Sequence, residues 1–344
     1  MTARYATSKE IKKWDDLIVK NPDGGNVFSS SEYAEIKKLT GYTPRYIIAN
    51  KCAVLILEKK TPPLGTFWYL PKGPGVTTSK QLFDTLEAIR PLAKKAGAFV
   101  MRVETELDRS SRPTLERYGM KKAAPIIPNP STITIDISEP LETVLANLPQ
   151  KGRHAIRRAG RDGVTVKRVA ATEENAQIMY ALLSATAEGQ FGIRNYMYYK
   201  TFWQTFEKTG RGQLFFAYFE GAVVAGAYAM VLGEKSTYKD GASVRERTAY
   251  GASHLLQWNV IEWAKEKGAL IHDFCGSPPS EDLKNPNHPH YGVGLFKLSF
   301  SKDVHDFIGC YDLVLSKIRY TSWLKVGERA YRHFYYKQTK DYYY

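Results

Sequence analysis

Basic side chains recur at helical spacing in the middle of the chain, in the segment KGRHAIRRAGR. Arg153, Arg157 and Arg161 lie four residues apart on one predicted helix face, with Arg158 beside them. Crowded guanidinium groups repel each other unless anions lie nearby, so the pattern predicts that this helix binds phosphate groups. A charged face that contacts only water is the alternative interpretation.

A mixture of cations and aromatic rings occupies the last part of the chain. The cations are Lys317, Arg319, Lys325, Arg329, Arg332, Lys337 and Lys340, and the rings are Tyr320, Trp323, Tyr331, Phe334, Tyr335 and Tyr336. Rings between cations can stack on RNA bases. An amphipathic helix that buries its rings and keeps its charges in water would give the same pattern.

The sequence departs from the pattern that an acetyl-coenzyme A enzyme needs. In an acetyl-coenzyme A enzyme, the loop after the third strand of the domain holds the pyrophosphate of the coenzyme with its backbone amides. The sequence of this loop is usually Arg/Gln-x-x-Gly-x-Gly/Ala. The nearest match begins at Arg247, but Tyr250 stands where the first glycine is required, and its side chain would fill the space beside the phosphates. The segment GPGVTTSKQ departs from the pattern as well. We therefore expect the chain not to be an ordinary acetyltransferase.

Other common chemical motifs are missing from the sequence. The histidines late in the chain, His272, His288, His290 and His305, lack the helical spacing of metal ligands. There is no G-x-S-x-G motif, no Walker sequence and no dinucleotide fingerprint. We predict neither a metal site nor a cofactor.

Composition limits the class of protein. The 344 residues suffice for two domains, and the 49 lysines and arginines against 35 acids give a net charge of +14, which favours polyanionic partners. The three cysteines show no disulfide or zinc spacing. Because the first residues are charged and the longest weakly polar run, residues 221–233, is too short to span a bilayer, we expect a cytoplasmic protein.

One structural unit occurs twice in the sequence. The two copies lie half a chain apart, and their sequences are LAKKAGAFVMRVE and WAKEKGALIHDFC. Each is predicted to contain a helix end, a Gly-Ala pair and a buried strand. Upstream of each copy we predict a helix, three strands, a glycine-containing turn (PKGPG or KDGAS) and a long helix. The predicted ranges are helices 31–39, 79–95, 196–207 and 251–267, and strands 46–50, 53–59, 66–70, 214–219, 222–232 and 236–239.

This order of elements is typical of an N-acetyltransferase-like domain. We predict an α/β (α+β) chain of two tandem GNAT-like (acyl-CoA N-acyltransferase-like) domains. The proline-rich residues 125–130 suggest a boundary near residue 130. Residues 1–130 and a C-terminal helix, 320–344, then form the first domain, and residues 131–319 the second.

The chain resembles the FemABX family of peptidoglycan-bridge aminoacyl-tRNA transferases over nearly its whole length. The resemblance rests on the order of FSSSEYAEIKK, YLPKGPGV, KGRHAIRRAGRDGV, STYKDGAS, HDFCG and GLFKLSF. No long heptad stretch interrupts residues 132–320, so the chain resembles the short members that lack a coiled-coil arm.

The resemblance implies a substrate site made of residues from both halves of the chain. It implies that Lys37 and Arg194 hold the diphosphate of a sugar nucleotide, and that Tyr198, Tyr238 and Phe296 form the acceptor site. Arg194 and Tyr198 would share one helix face. Without the resemblance, the two cations would be interpreted as surface charges and the two tyrosines as packing residues.

The resemblance also implies that Lys297 lies beside the reacting ester, where a fixed cation stabilises an oxyanion. The simpler interpretation is an exposed lysine that alternates with Leu295 and Leu298 on an amphipathic strand. Glu104 is the weak candidate for a general base, because it follows a strand where the family often has an aspartate. Proton transfer assisted by the substrate itself is the alternative.

The implied reaction transfers an amino acid from aminoacyl-tRNA to the stem-peptide amine of UDP-MurNAc-pentapeptide or lipid II. The ester supplies the driving force, so ATP is not required. We expect the four arginines of residues 153–161 to contact tRNA, the protein to act as a monomer, and its positive surface to suit an anionic membrane. Two alternatives remain: a transferase acting on a protein N-terminus or a lipid, and a non-catalytic tRNA-binding module.

Overall fold

A computed structural model describes residues 2–127, 131–187, 192–244 and 249–344. The chain separates into two compact units, one drawn from residues 1–130 and 306–344 and the other from residues 131–305. The expected boundary near residue 130 and Arg247 of the expected pyrophosphate motif lie outside the described residues.

Fourteen strands and thirteen α-helices lie in the described residues. The strands are β1 (Ala3–Tyr5), β2 (Thr43–Ala49), β3 (Cys52–Thr61), β4 (Gly65–Leu70), β5 (Ala98–Val103), β6 (Lys121–Ala123), β7 (Ser131–Asp136), β8 (Thr165–Val169), β9 (Gly212–Phe219), β10 (Ala222–Leu232), β11 (Lys235–Ser243), β12 (Ile271–Asp273), β13 (Asp303–Asp306) and β14 (Cys310–Val314). The helices are α1 (Ser8–Ile11), α2 (Trp14–Ile18), α3 (Ser31–Lys38), α4 (Ser79–Lys95), α5 (Arg112–Arg117), α6 (Leu141–Asn147), α7 (Gln150–Arg161), α8 (Glu173–Ala187), α9 (Tyr196–Lys208), α10 (Ala252–Glu266), α11 (Tyr291–Lys297), α12 (Lys317–Ser322) and α13 (Glu328–Thr339).

The first unit is built on a sheet of order β1-β2-β3-β4-β5-β14-β6, in which β4 and β5 are parallel. Helix α4 begins where the Thr78 hydroxyl accepts a hydrogen bond from the Gln81 amide. Its buried positions include Leu82, Leu86 and Ile89, so one apolar stripe at helical spacing faces the sheet.

Strand β14 corrects the expected extent of the second domain. We expected residues 131–319 to form that domain, but β14 pairs antiparallel with β5 and β6 of the first sheet. Its buried Asp312 accepts two hydrogen bonds from Arg102 of β5, at 2.8 and 2.9 Å. The register of this pairing depends on residues far apart in sequence, which no local pattern reveals.

The second unit has a sheet of order β13-β7-β12-β11-β10-β9-β8. Strand β10 is rich in alanine, and its small side chains lie in one core with the buried Val260, Ile261 and Ala264 of α10. The segment KDGAS does not form the expected turn. It lies inside β11, because the long strand β10 provides backbone partners as far as Ser243.

The predicted fold class is confirmed by the two mixed α/β units. The longest uninterrupted α-helix among the described residues is α4, with 17 residues, and the described part of the chain contains no coiled-coil arm. No described helix is long and apolar enough to cross a membrane.

Candidate active site

The two parallel strands of the second unit diverge after a short common stretch. Strand β11 pairs with β12 only over residues 235–237 and 271–273. Beyond this stretch β11 continues beside β10, whereas Phe274 donates its amide hydrogen to Ile133 of β7. Cys275 then adopts a left-handed backbone with φ of 55°. The divergence turns the carbonyl groups after Phe274 away from the sheet ladder.

Lys297 uses these carbonyl groups. The residue ends α11, is only 5% exposed, and donates hydrogen bonds from Nζ to the carbonyl oxygens of Cys275 at 3.1 Å and Gly276 at 2.5 Å. An ammonium group has three donors, and the third has no partner among the described residues. The interpretation as an exposed lysine on a strand is therefore wrong.

Burial lowers the pKa of Lys297 to about 8, an effect that nearby Cys275 and Asp273 partly oppose. Within the described residues, no carboxylate forms a salt bridge with the ammonium group. The group is thus a cation at neutral pH, held by backbone dipoles, with one donor left to bind developing negative charge.

Ser277 is a site residue that the sequence patterns did not single out. It follows Gly276 directly and is 3% exposed, and its Oγ is buried without a hydrogen-bond partner among the described residues. A buried hydroxyl without a partner is uncommon in folded proteins, and one explanation is a ligand that supplies the missing bond. Its position beside HDFCG was the available signal.

Arg194 and Tyr198 are brought together, but not by the expected helix geometry. Helix α9 begins after Asn195, whose side chain accepts a hydrogen bond from the Tyr198 amide at 2.9 Å. Arg194 therefore precedes the helix instead of sharing its face. Its guanidinium carbon lies 4.4 Å from the centre of the Tyr198 ring, a stacking distance.

Tyr238 is half-buried on β11. Its hydroxyl lies over the backbone of Gly241, in space that a Cβ atom there would occupy. Burial, followed by the charge of Asp240, raises the pKa of the Tyr238 hydroxyl well above its ordinary value. Asp240 itself accepts hydrogen bonds from the Trp203 indole at 3.0 Å and from Lys239 at 2.9 Å. Tyr238 is therefore a neutral phenol at physiological pH.

Phe296 packs into an aromatic cluster. Its ring centre lies 4.9 Å from His254 and 5.4 Å from Phe300. Burial, with a smaller contribution from Lys151, lowers the pKa of His254 to about 4, so this histidine is neutral. The contacts of Phe296 hold α11 in place and so help to position Lys297.

Lys37 lies in the last turn of α3 in the first unit and is buried, so the interpretation as a helix-surface charge is wrong. Its Nζ lies 5.5 Å from the Tyr33 ring centre and 5.3 Å from the Tyr42 ring centre. Aromatic faces stabilise a cation without neutralising its charge.

Glu104 follows β5 in the first unit and is almost fully engaged. One carboxylate oxygen accepts hydrogen bonds from the amides of Ile126 and Ile127, and the other from Ile127 and from the Tyr69 hydroxyl. Burial raises its pKa, although these donors oppose the effect. The contacts favour a role in holding residues 126–127 over that of a general base.

The basic helix α7 presents the expected cationic face. Arg157 and Arg161 are exposed and form no ion pair with any described residue. Together with Arg153 and His154 they line an open groove. Arg158 points elsewhere, to Asp162 at 3.1 Å and over the Tyr250 ring at 4.6 Å.

The same helix covers the start of α10, where a coenzyme A pyrophosphate would need free amides. A Cβ atom on Gly251, the residue that caps α10, would lie 2.4 Å from the carbonyl oxygen of Ala155 in α7. This close packing leaves no room for a diphosphate on that side of Gly251.

Of the four late histidines, His288 and His290 lie together, with ring centres 5.7 Å apart. His272 is buried between Ser236, at 2.7 Å from Nδ1, and Gln257, at 2.7 Å from Nε2. Burial and nearby Lys297 lower its pKa to about 3, so it is neutral. In the described parts of the chain, no group of three or more His, Cys, Asp or Glu side chains could hold a metal ion.

Comparisons with known proteins agree with this architecture. The acetyltransferase (GNAT) domain model matches residues 149–285. The Lipid II:glycine glycyltransferase of Staphylococcus aureus (strain MRSA252) is 22% identical over 391 aligned residues, which cover 89% of this chain and 92% of the relative. Because that alignment is longer than this chain, the relative carries additional segments.

Two solved structures share the fold over most of the chain. "Crystal structure of FemX" has a TM-score of 0.80 at 20% identity and covers 95% of this chain and 100% of its own. The C-terminal domain of a putative lysylphosphatidylglycerol synthetase from Agrobacterium fabrum has a TM-score of 0.54 at 14% identity, covering 93% and 96%. The motif order, the near full-length sequence similarity and the shared fold agree with one another: over nearly its whole length the chain is similar to proteins of the FemABX type.

Proposed function

We propose that the protein transfers an amino acid from aminoacyl-tRNA to the stem-peptide amine of a peptidoglycan precursor. The name of the relative, Lipid II:glycine glycyltransferase, supports amino-acid transfer to such a precursor. The observation that carries the proposal is the buried Lys297 ammonium, fixed by two carbonyl oxygens and with one donor unused.

The covalent step balances without a further reactant. The acceptor amine attacks the ester carbon, a C–N bond forms, and the C–O bond to the terminal ribose breaks. The ribose oxygen takes the proton that the amine loses. Lys297 donates its remaining N–H to the carbonyl oxygen as that oxygen becomes negative, which lowers the barrier most when the donor is already in place.

We assign acceptor binding to Lys37, Arg194, Tyr198, Tyr238 and Phe296. Lys37 and Arg194 each offer a cation to a phosphate group of the precursor, at about 1.5–3 kcal/mol for a charge-assisted contact. Arg194 is already oriented by its stacking on Tyr198.

We assign the donor tRNA to α7. Arg153, Arg157 and Arg161 line the open groove of this helix, and the exposed guanidinium groups of Arg157 and Arg161 suit a phosphate backbone. The packing of α7 against Gly251 supports a donor other than acetyl-coenzyme A.

The test is transfer of a labelled amino acid from a pool of charged tRNAs to UDP-MurNAc-pentapeptide or lipid II. The native chain is compared with Lys297→Met and with the exposed control Lys302→Met. We expect label on the precursor with the native chain and the control, and almost none with Lys297→Met. Label on phosphatidylglycerol or a protein N-terminus instead would identify another acceptor. Salt-sensitive tRNA binding with no transfer to any acceptor would identify a binding module.

A further inference from the structure

The C-terminal segment of residues 317–341 contains α12 and α13 joined by the π-helical turn Trp323–Gly327, and it has a buried side that explains most of its aromatic residues. Trp323 is fully buried, with its ring centre 5.8 Å from Phe67 and 5.7 Å from Phe99. Tyr320 is buried too, and its hydroxyl donates to Asp312 at 2.9 Å. These rings hold the segment on the first sheet and are not available to stack on RNA.

The opposite side exposes large apolar side chains. Among the described residues, the three most exposed large hydrophobic side chains all belong to this segment: Ile318 at 82%, Val326 at 68% and Phe334 at 67%. They are spaced by eight residues, about two helical turns. Exposure of such side chains to water is unfavourable, and a row of them along one helical segment indicates an interaction site.

The exposed side also carries positive charge without exposed acids. All seven of its cations are exposed: Lys317, Arg319, Lys325, Arg329, Arg332, Lys337 and Lys340. The two acids of the segment point inward: Glu328 accepts a hydrogen bond from the Tyr344 hydroxyl at 2.8 Å, and Asp341 is buried. A partner for this side must therefore combine negative charge with an apolar layer.

We propose that this segment docks on the surface of an anionic lipid bilayer. Ile318, Val326 and Phe334 enter the boundary between headgroups and acyl chains, and the flanking lysines and arginines bind lipid phosphates. RNA offers the same phosphates, but aliphatic side chains such as Ile318 and Val326 cannot stack on bases, which favours the bilayer. The proposal does not depend on the reaction assigned above.

The test is sedimentation of the full chain with vesicles of phosphatidylglycerol and phosphatidylethanolamine in equal amounts. Vesicles of phosphatidylcholine are the neutral reference. The variant Ile318→Ser/Val326→Ser/Phe334→Ser removes the apolar groups and keeps every charge. The control Tyr5→Ser/Ile11→Ser removes exposed apolar side chains from the same unit.

We expect the native chain and the control to bind the anionic vesicles, and the triple variant to bind them roughly tenfold or more weakly. Thermal unfolding and transfer to the soluble UDP-linked precursor should be unchanged in the triple variant, because its altered side chains are exposed. Vesicle binding by the triple variant equal to that of the native chain would overturn the proposal. If the native chain does not bind the vesicles and the triple variant binds tRNA more weakly, the proposal is wrong and the segment binds RNA.

Discussion

The Nζ of Lys297 lies 3.1 Å from the carbonyl oxygen of Cys275, a residue whose left-handed backbone turns that oxygen out of the sheet. The strand end therefore holds the lysine, and the lysine satisfies a carbonyl group that the sheet leaves without a strand partner. This mutual arrangement gives a buried cation a fixed position before substrate binds.

Replacement of Lys297 by methionine should lower single-turnover transfer by roughly a hundredfold to a thousandfold, the usual effect of removing one oxyanion donor. Affinity for the precursor should change little, because the ammonium group acts on the transition state. The matched control is Lys302→Met. A variant that transfers at the native rate would remove Lys297 from the mechanism.

Transfer should depend on pH through the same group. The pKa of Lys297 is lowered to about 8, so the ammonium form is present below that pH and is lost as the pH rises through it. Deprotonation of the acceptor amine acts on both proteins alike, so the ratio of the native rate to the Lys297→Met rate isolates the contribution of Lys297. This ratio should fall above about pH 8, and a ratio that instead rises through pH 8 would indicate that the neutral Lys297 amine acts as a base.

The close packing of α7 and α10 can be tested with two glycines of left-handed backbone. Gly251 has φ of 75° and its Cβ would meet Ala155, whereas Gly268 has φ of 88° and open space around it. Gly268→Ala should cost about 1–2 kcal/mol of unfolding free energy from backbone strain alone. Gly251→Ala should cost roughly a further 1–3 kcal/mol from the clash. Urea unfolding measures both, and equal costs would contradict the packing.

Arg157 and Arg161 should contribute to tRNA binding through phosphate contacts. The variant Arg157→Gln/Arg161→Gln should bind tRNA more weakly and reduce the salt dependence of log K by about 1 for each contact removed. Arg168→Gln is the control, because Arg168 is already paired with Glu266 at 2.6 Å. Filter binding over a range of salt concentrations gives the slopes. An unchanged slope in the double variant would exclude α7 from the tRNA site.

Lys37 and Arg194 should each contribute to binding of the precursor. Lys37→Met and Arg194→Gln should each weaken binding of UDP-MurNAc-pentapeptide by about tenfold to a hundredfold. Lys38→Met is the control, since Lys38 is exposed and paired with Glu35. Calorimetry of the native chain, the two variants and the control measures the affinities, and a variant that binds the precursor as tightly as the native chain would exclude its residue from precursor binding.

Local patterns in the sequence predicted the regular elements well. The ranges of α4 and β10 agree with their predicted ranges, and α3, α7, α9 and α10 differ from theirs by a residue at one or both ends. Their apolar spacing, capping residues and glycines act within a few residues, so the information is local. The order of motifs along the chain likewise predicted the resemblance to the FemABX family, because that order can be observed in the sequence without knowledge of the fold.

Only the tertiary structure determines the burial and the hydrogen bonds of the site residues. The simpler interpretation of the sequence was an exposed Lys297 on an amphipathic strand. The structure instead places Lys297 at the end of a helix and buries its ammonium group. The pairing of β14 with β5 and the hidden hydroxyl of Ser277 are likewise set by contacts between distant residues. Burial and hydrogen bonding to carbonyl groups depend on which segments meet, and therefore the altered pKa of Lys297 arises only in the folded chain.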